Sequence, residues 1–314
     1  LKDRAARLLV PLVVGIFTHA ALQVYLERIT HGEFRGSFFA FLPRYFDGLY
    51  AFGGNFAWMG LHLWYLEVLF IFSLVCLPLL LWQKHGSGAR TLNGLGGFLA
   101  RSGLIYLLAL PIMLSLSGLD PETPLGARPW AGWSLVSHLL FFLYGFLLVS
   151  HDGLQESIRR LRWVSLTAGL LLIFGHITLK TSGGDPSFGT ARYTLIFSIY
   201  GLSSWCWILA IWGFGMQHLN FSTPSLRYAN SAVLPFYVMH QTVLLVVGYF
   251  VVRWAVPDLL KFGVISLSSF ALILVVYEFL VRRSNLPRVL FGMKPLRRTL
   301  QPANSSPLPQ TAKS

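Results

Sequence analysis

The chain has 314 residues, of which 54% are hydrophobic and only 12% are charged. Because soluble domains carry about 25% charged residues, this composition indicates a protein that folds mainly in lipid. A mean hydropathy of +0.60 agrees. The composition therefore excludes an ordinary water-soluble fold. The net charge of +13 raises the question of a nucleic-acid partner, which the distribution of the charge answers below.

Apolar residues are grouped into eight segments, each of about 17 to 25 residues, the length needed to cross ~30 Å of hydrocarbon. We therefore predict an all-α, polytopic integral membrane protein with about eight transmembrane helices. The predicted spans lie at 8–27, 62–82, 99–117, 134–150, 163–179, 193–216, 232–252 and 260–281.

The aromatic stretch 34–58 is the main challenge to this count. It contains Pro43, Arg44, Asp47 and several glycines, which are too many breakers and polar groups for a lipid-facing helix. We interpret it as an outer interfacial or re-entrant segment with its aromatic rings at headgroup depth.

Positive charge is concentrated on one predicted side of the membrane. If Leu1 is cytoplasmic, the inner segments carry 17 of the 25 lysines and arginines. This positive-inside bias predicts a multi-pass membrane protein with both ends of the chain in the cytoplasm. The charge thus indicates topology and contact with anionic lipid, and we predict no nucleic-acid partner.

The two ends of the sequence differ in character. The chain opens on Leu1 without an initiator methionine, so we expect upstream residues. We predict a membrane-embedded domain over 1–296. The remainder, 297–314, is basic and polar with several Pro and Ser residues, which predicts a disordered cytoplasmic tail.

Carboxylates are scarce, and only Glu67 and Glu278 lie within predicted spans. Glu278 lies four residues before Arg282, a spacing that favours an ion pair on one helix. Glu67 has no such neighbour and is the better candidate for chemistry. No cluster of His, Cys or acidic residues has metal-ligand spacing, so we predict neither a metal nor a bound cofactor.

Five histidines lie in or at the edge of spans, a high density for a membrane protein: His19, His62, His138, His176 and His240. Histidine is the side chain best suited to move a proton near neutral pH. A single embedded histidine is nevertheless more often a packing residue bonded to a neighbouring helix.

Two of these histidines have informative neighbours. Tyr237, His240 and Gln241 share one helix face by i+3 and i+4 spacing. His62 precedes Glu67 by five residues, about 500° on a helix, so their side chains point roughly 140° apart. We therefore treat the His-x4-acid spacing, which soluble glycerolipid acyltransferases also have, as coincidence.

Arg4 and Arg7 form a third candidate site at the predicted cytoplasmic surface. Arginines at i and i+3 lie on one face of a helix, where paired guanidinium groups suit phosphate oxygens. An ordinary positive-inside anchor explains the same pair equally simply.

Together these stretches resemble the acyltransferase-3 family of bacterial membrane enzymes, in particular the branch containing glucan biosynthesis protein C. The resemblance covers roughly 1–296. It rests on Asp3-Arg4-Ala-Ala-Arg7-Leu8-Leu-Val-Pro11, His62-Leu-Trp64-Tyr-Leu66, Leu234-Pro235-Phe-Tyr237-Val-Met-His240-Gln241 and Leu290-Phe-Gly-Met-Lys294.

The resemblance implies transfer of an acetyl- or succinyl-class group from cytoplasmic acyl-CoA to a hydroxyl of a periplasmic or cell-surface glucan or other carbohydrate. It implies that Arg4 and Arg7 bind the donor's phosphates. It further implies a location in the bacterial inner membrane and about ten spans in the full-length protein. It also implies that the family's catalytic first-helix arginine and histidine lie upstream of Leu1.

Within this chain, the expected catalytic residues are His62, His240 and Glu67. Trp64, Tyr237 and Gln241 are expected to line the site, where imidazole can act as a base and polar groups can stabilise an oxyanion.

A transporter or flippase for a glycan or small solute is the alternative from another class. Pro111 and Pro235 lie where they can break spans, and transporter helices are often broken within the membrane. Transporters also commonly consist of two related halves, but the two halves of this chain show no similarity. A purely structural membrane protein is a third possibility, against which the embedded histidines argue modestly.

Overall fold

The computed structural model describes residues 2–129 and 131–296, so the predicted tail 297–314 lies outside the described residues. Over these ranges the fold is all-α as predicted, and extended pairing is limited to one isolated bridge between Leu49 and Phe56. Short 3-10 turns occupy Leu42–Phe46, Tyr50–Phe52, Leu61–Leu63 and Leu104–Leu108, and one α-helical turn covers Phe38–Phe41. The longer helices, α1 to α11, are Lys2–Thr30, Trp64–Val75, Leu77–Trp82, Gly86–Leu99, Ala109–Ser117, Leu135–Ser150, Asp152–Thr181, Ala191–His218, Pro224–Val251, Asp258–Val276 and Asn285–Leu290.

The described residues form two compact units. The first consists of 2–71 with 223–296, and the second of 72–129 with 131–222. The first unit is therefore built from the two ends of the sequence, which meet where α1, α9 and α11 pack together. Its contacts bring the His62 and His240 regions of the sequence into one unit.

Five helices in the described ranges, α1, α7, α8, α9 and α10, are long and apolar enough to cross a membrane. The count is six if the bent pair formed by Gly86–Leu99 and Leu104–Ser117 is one span. Two shorter apolar helices, Leu61–Val75 and Leu135–Ser150, correspond to two more predicted spans. The protein is thus a multi-pass membrane protein, but the predicted number of about eight spans is not confirmed.

Two predicted spans are interrupted. The stretch 62–82 stops being one helix at Cys76, because Pro78 lies in the first turn of a new helix, α3. The stretch 99–117 begins with irregular chain around Gly103, whose φ of +79° is left-handed. There the axis bends by 114°. A hydropathy window detects apolar length and misses these breaks.

Hydroxyl side chains fix the starts of three helices. Ser134, Thr190 and Thr223 each accept a hydrogen bond from the backbone N–H three residues later. These bonds satisfy N–H groups that have no partner within the helix. The caps begin α6 and α8 within two residues of the predicted span boundaries, whereas α9 begins eight residues before its predicted span.

Helix α1 is interrupted by a π-helical turn at Ile16–Ala20. The hydroxyl of Tyr45 donates a 2.9 Å hydrogen bond to the carbonyl of Ile16. Up to the first residue of the turn, Leu12 and Ile16 pack in a core with Leu63. From the last residue of the turn onward, the helix packs against the aromatic segment through Ala20, Ala21 and Val24. The turn thus allows one helix to serve two cores.

The aromatic segment 34–58 contains no helix long enough to span a membrane, as its breakers predict. Arg28, near the end of α1, holds it by donating to Asn55 Oδ1 at 2.9 Å and to the carbonyl of Gly54 at 2.8 Å. Phe39 and Phe52 remain largely exposed, at 79% and 86%. The interfacial depth of the segment stays a prediction.

The second unit has its own core around Trp205, which is fully buried. Its indole N–H donates to the carbonyl of Ile105 at 3.1 Å, in the irregular stretch after the bend. Ser115 and Ser137 bond at 2.9 Å between α5 and α6. Such hydroxyl contacts join helices where lipid supplies no hydrogen-bond partner.

A π-helical turn, Tyr277–Val281, continues α10, and the ion pair predicted there is confirmed. Arg282 donates to both carboxylate oxygens of Glu278 at 2.9 Å. The pair is local, so the i,i+4 spacing was sufficient to predict it.

Gly292 stands where the chain crosses between α1 and α9 after α11. Its φ of +72° is left-handed, and a Cβ there would lie 2.6 Å from Leu234 Cδ2 and 2.8 Å from the carbonyl oxygen of Arg7. The Leu290–Lys294 motif therefore contains a position where only glycine fits without strain.

We expect Gly292→Ala to destabilise the protein by about 1–3 kcal/mol, because the new methyl group adds both backbone strain and a steric clash. Thermal unfolding in detergent measures the effect. Gly263→Ala is the matched control, since a Cβ at Gly263 meets nothing within 4 Å. Equal melting temperatures for the two variants would contradict the packing described.

Candidate functional site

His62 follows an unusual turn. Gly60 and Leu61 both have left-handed backbone angles, with φ of +71° and +53°. For a non-glycine residue this conformation costs about 1–3 kcal/mol and persists only where surrounding contacts impose it. The fully buried Leu63 supplies such contacts within the core that also contains Leu12 and Ile16. The turn thus holds His62 at the start of its helix.

Both ring nitrogens of His62 are engaged. Nε2 lies 3.1 Å from the carbonyl oxygen of Val238 on α9, and Nδ1 lies 3.1 Å from Nε2 of Gln23 on α1. Because a carbonyl only accepts, Nε2 carries the proton. The lone pair on Nδ1 then accepts from the Gln23 amide. The geometry assigns a neutral imidazole in the Nε2–H tautomer.

Two further bonds fix this arrangement. The same Gln23 amide nitrogen donates to Thr242 Oγ1 at 2.7 Å, and Gln23 itself is 4% exposed. From α9, the hydroxyl of Tyr237 donates to the backbone carbonyl of His62 at 2.5 Å. His62 is therefore held by α1 on one side and by α9 on the other.

His240 is oriented in the opposite way. Its Nδ1 lies 2.6 Å from the carbonyl of Tyr237, one turn earlier on α9, so Nδ1 carries the proton. The neutral ring then keeps its lone pair on Nε2. The rings of His240 and His62 meet edge to face, with centroids 5.3 Å apart. The structure thus brings together two histidines that are 178 residues apart in sequence.

The first cavity beside this pair, called the His62 cavity, has a volume of about 640 Å³. It runs along α1 from Gln23 to His31, just past the end of the helix, and along α9 from Gln241 to Arg253, two residues past its end. His62 lies in its wall. Most of its surface is apolar, and a few polar groups converge on it. This composition is typical of a pocket for a small organic ligand.

The His62 cavity is lined by several polar and aromatic side chains, namely Glu27, Tyr50, Tyr249 and Arg253. The hydroxyl of Tyr50 donates to Glu27 Oε2 at 2.8 Å. Burial, together with this hydrogen bond, raises the pKa of Tyr50 to about 12, so its hydroxyl remains a donor at neutral pH. The guanidinium carbon of Arg253 lies 3.9 Å from the Tyr249 ring centroid. An aromatic face, a carboxylate and a guanidinium group thus border one cavity.

The second cavity, called the His240 groove, has a volume of about 600 Å³. Its lining comes from α9 and α10 and is almost entirely apolar. His240 and Tyr237 line it, whereas the next residue, Gln241, lines the His62 cavity. Two spaces of different character therefore come within one residue of each other on α9.

The other predicted site residues lie elsewhere. Glu67 Oε2 is buried and has no hydrogen-bond partner among the described residues. The indole ring of Trp64 meets the Tyr65 ring edge to face at 5.8 Å. Of the residues described, neither Glu67 nor Trp64 lines the two cavities.

Arg4 and Arg7 are exposed near the start of α1. Sixteen residues of this helix separate Arg7 from Gln23, which corresponds to roughly 24 Å along the axis. The structure therefore does not bring the two arginines to the histidine pair. A ligand that reaches both regions has to be elongated.

Sequence reasoning did not identify Gln23 and Thr242, which orient His62, or Glu27, Tyr50 and Arg253. For Gln23 a signal existed, because an amide in the middle of an apolar span needs a hydrogen-bond partner on another helix. His138 and His176 bond to backbone carbonyls at 2.9 and 3.2 Å, as packing histidines do. No group of three metal-binding side chains occurs in the described part of the chain.

Comparison with protein families identifies one match. A family model, Acyl_transf_3, described as an acyltransferase domain, matches residues 1–278. The predicted family is thereby confirmed over most of the chain, but no homologue supports the glucan biosynthesis protein C branch. No curated protein and no solved structure matches the chain.

We expect opposite tautomers for the two paired histidines, because their ring nitrogens face backbone carbonyls in opposite ways. His62 should be protonated on Nε2 and His240 on Nδ1. Nitrogen-15 NMR of histidine-labelled protein measures this directly. Spectra of His62→Gln and His240→Gln assign the two rings. The same tautomer on both rings would contradict the geometry.

Proposed function

Because the chain belongs to the acyltransferase-3 family, we propose that it transfers an acetyl-class group from acyl-CoA to a hydroxyl group of a carbohydrate, such as a periplasmic or cell-surface glucan. Family membership makes the protein a membrane acyltransferase. The donor, the acceptor and the residue roles below are our proposal. So are eight membrane crossings, a location in the bacterial inner membrane and cytoplasmic ends.

The observation that carries the proposal is the contact between His62 and His240, beside two cavities of different chemistry. Acyl transfer brings together a polar hydroxyl nucleophile and a thioester with an apolar acyl part. The His62 cavity suits the hydroxyl-bearing partner, and the His240 groove suits the apolar acyl part. The neighbouring positions of His240 and Gln241 give a place where the two meet.

His240 is the proposed general base. Its Nδ1–H bond to the carbonyl of Tyr237 fixes the ring and directs the free lone pair to Nε2, as a catalytic imidazole requires. Nε2 takes the proton of the acceptor hydroxyl as the hydroxyl oxygen bonds to the thioester carbonyl carbon. The carbon–sulfur bond then breaks, and the same proton goes to the CoA sulfur.

His62 is the proposed positioning residue. Both of its nitrogens are already bonded, so it serves as a fixed wall rather than as the first proton acceptor. Gln241, which lines the His62 cavity beside the base, is the proposed donor to the developing oxyanion.

The acceptor is proposed to bind in the His62 cavity. Sugar rings pack their C–H faces on aromatic side chains, and their hydroxyl groups bond to carboxylate and guanidinium groups. Tyr249, Glu27 and Arg253 provide these three kinds of contact.

The donor is proposed to bind with its phosphates at Arg4 and Arg7 and with its acyl part in the His240 groove. The roughly 24 Å between these regions suits an elongated donor. An acetyl group fits the apolar groove better than a succinyl group, because a carboxylate has no cationic partner among the described groove residues.

His240→Ala should lower acceptor-dependent CoA release by a factor of about 10² to 10⁴, the usual contribution of a general base. His62→Gln should have a smaller effect, since it retains one hydrogen bond to α9 or α1. The assay uses membranes that express the protein, with acetyl-CoA and a glucan extract. His85→Ala, at an exposed residue, is the control. Full activity of the His240 variant would remove it from the mechanism.

Arg4→Ala/Arg7→Ala should raise KM for acetyl-CoA about tenfold or more and leave KM for the acceptor unchanged, because each lost phosphate contact is charge-assisted. Arg90→Ala/Arg101→Ala is the matched control, since it removes two exposed arginines elsewhere in the sequence. If wild-type protein that is expressed and inserted normally releases CoA from neither acetyl-CoA nor succinyl-CoA, the proposed donors are wrong. A glycan-uptake assay would then test the transporter alternative.

A further inference from the structure

The second unit contains a cavity that plays no part in the proposed reaction. It has a volume of about 440 Å³ and is lined by the end of α7, the start of α8 and the two loops that precede α6 and α8. We call it the Arg128 cavity. Both α7 and α8 are long enough to cross a membrane, so a cavity at their ends lies at the level of lipid headgroups.

Arg128 is held firmly in this cavity. Its Nη2 donates to the carbonyl of Leu116 at 2.5 Å and to the hydroxyl of Tyr193 at 2.6 Å. The guanidinium carbon also lies 4.1 Å from the centroid of the Phe197 ring. These contacts join the last turn of α5 to the first turn of α8 and fix the position of the charge.

These two bonds use only two of the five N–H groups of Arg128. Its Nε is buried and has no hydrogen-bond partner among the described residues. Such buried, charged donors are rare, because each forfeits a hydrogen bond to water without replacement. Arg128 therefore lacks an acceptor, and an oxyanion is the acceptor that a guanidinium group binds best.

The remaining lining agrees with a ligand that has a negative head. Lys180, in the last turn of α7, adds a second cation, whereas Asp185 is the one carboxylate among the described lining residues. The net formal charge is positive. Tyr200 also borders the cavity. The ring of Trp133 stacks on the ring of Tyr200, with centroids 5.0 Å apart. The aromatic wall suits the uncharged part of a ligand at the membrane interface.

We propose that the Arg128 cavity binds a phosphate group, with Arg128 as its bidentate partner and Lys180 as a second cation. Its position at the ends of α7 and α8 favours the phosphate of an anionic phospholipid headgroup. A soluble phosphate ester offers the same chemistry and is the other source.

Native mass spectrometry of the detergent-purified protein tests the proposal with three probes. Dioleoylphosphatidylglycerol carries the phosphate on a lipid, dioleoylglycerol has no phosphate, and glycerol 1-phosphate is the soluble ester. We expect wild type to retain the phospholipid at least tenfold more than Arg128→Gln/Lys180→Ala does. Retention of dioleoylglycerol should be the same for both proteins.

Single variants separate binding from folding. Lys180→Glu changes an exposed side chain, so it should keep the wild-type melting temperature and still lose several-fold in retention. Arg160→Ala, at an exposed arginine near the start of the same helix, is the matched control and should bind like wild type. Acyl transfer by Lys180→Glu should remain normal, which keeps this test independent of the proposed function.

Each outcome is decisive. Phospholipid binding that depends on Lys180 supports a lipid headgroup site. Binding of glycerol 1-phosphate alone, with the same dependence, supports a site for a soluble phosphate. If Lys180→Glu and the double variant retain both phosphate probes as wild type does, or if wild type retains neither, the proposal is wrong.

Discussion

The side-chain amide of Gln23 is the interaction on which the first unit depends. It is buried within an apolar helix and donates to both His62 and Thr242. In lipid no water replaces a missing partner, so a buried amide has to be satisfied by other helices. This requirement ties α1 to α9 and determines the tautomer of His62. The position of His62 in turn makes the 5.3 Å contact with His240 possible.

The scarcity of carboxylates gives this membrane site its chemical character. With few acids to ionise, the histidine pair is oriented by backbone carbonyls, those of Val238 and Tyr237. A carbonyl fixes a ring without adding a charge, which avoids the large cost of burying an ion. Charged groups such as Arg253 and Arg128 border cavities instead. The protein thus combines a neutral histidine pair with charges at cavity walls.

Hydrophobic length and local spacing predicted more of the fold than of the site. Uninterrupted spans such as α7 and α8 followed from apolar runs, and the pair of Glu278 with Arg282 followed from i,i+4 spacing. Breaks at Pro78 and Gly103 were missed, because a hydropathy window averages over single residues. His62 and His240 were identified as candidates from neighbouring residues, but their contact depends on tertiary packing.

The same limit of sequence reasoning applies to the cavities. Glu27, Tyr50 and Arg253 come from three separate stretches of chain, and no single stretch shows that they border one space. Glu67 was a candidate as a lone acid within a predicted span, yet it is absent from the described lining of both cavities beside the histidine pair.

The π-helical turn at Ile16–Ala20 sets the register of the second half of α1. It adds one residue to α1, so Gln23 stands where residue 22 would stand in an uninterrupted α-helix. Without that extra residue, everything downstream would rotate by about 100°, and the Gln23 amide would turn away from His62. Changes of chain length in this turn are therefore a more severe kind of mutation than changes of side chain.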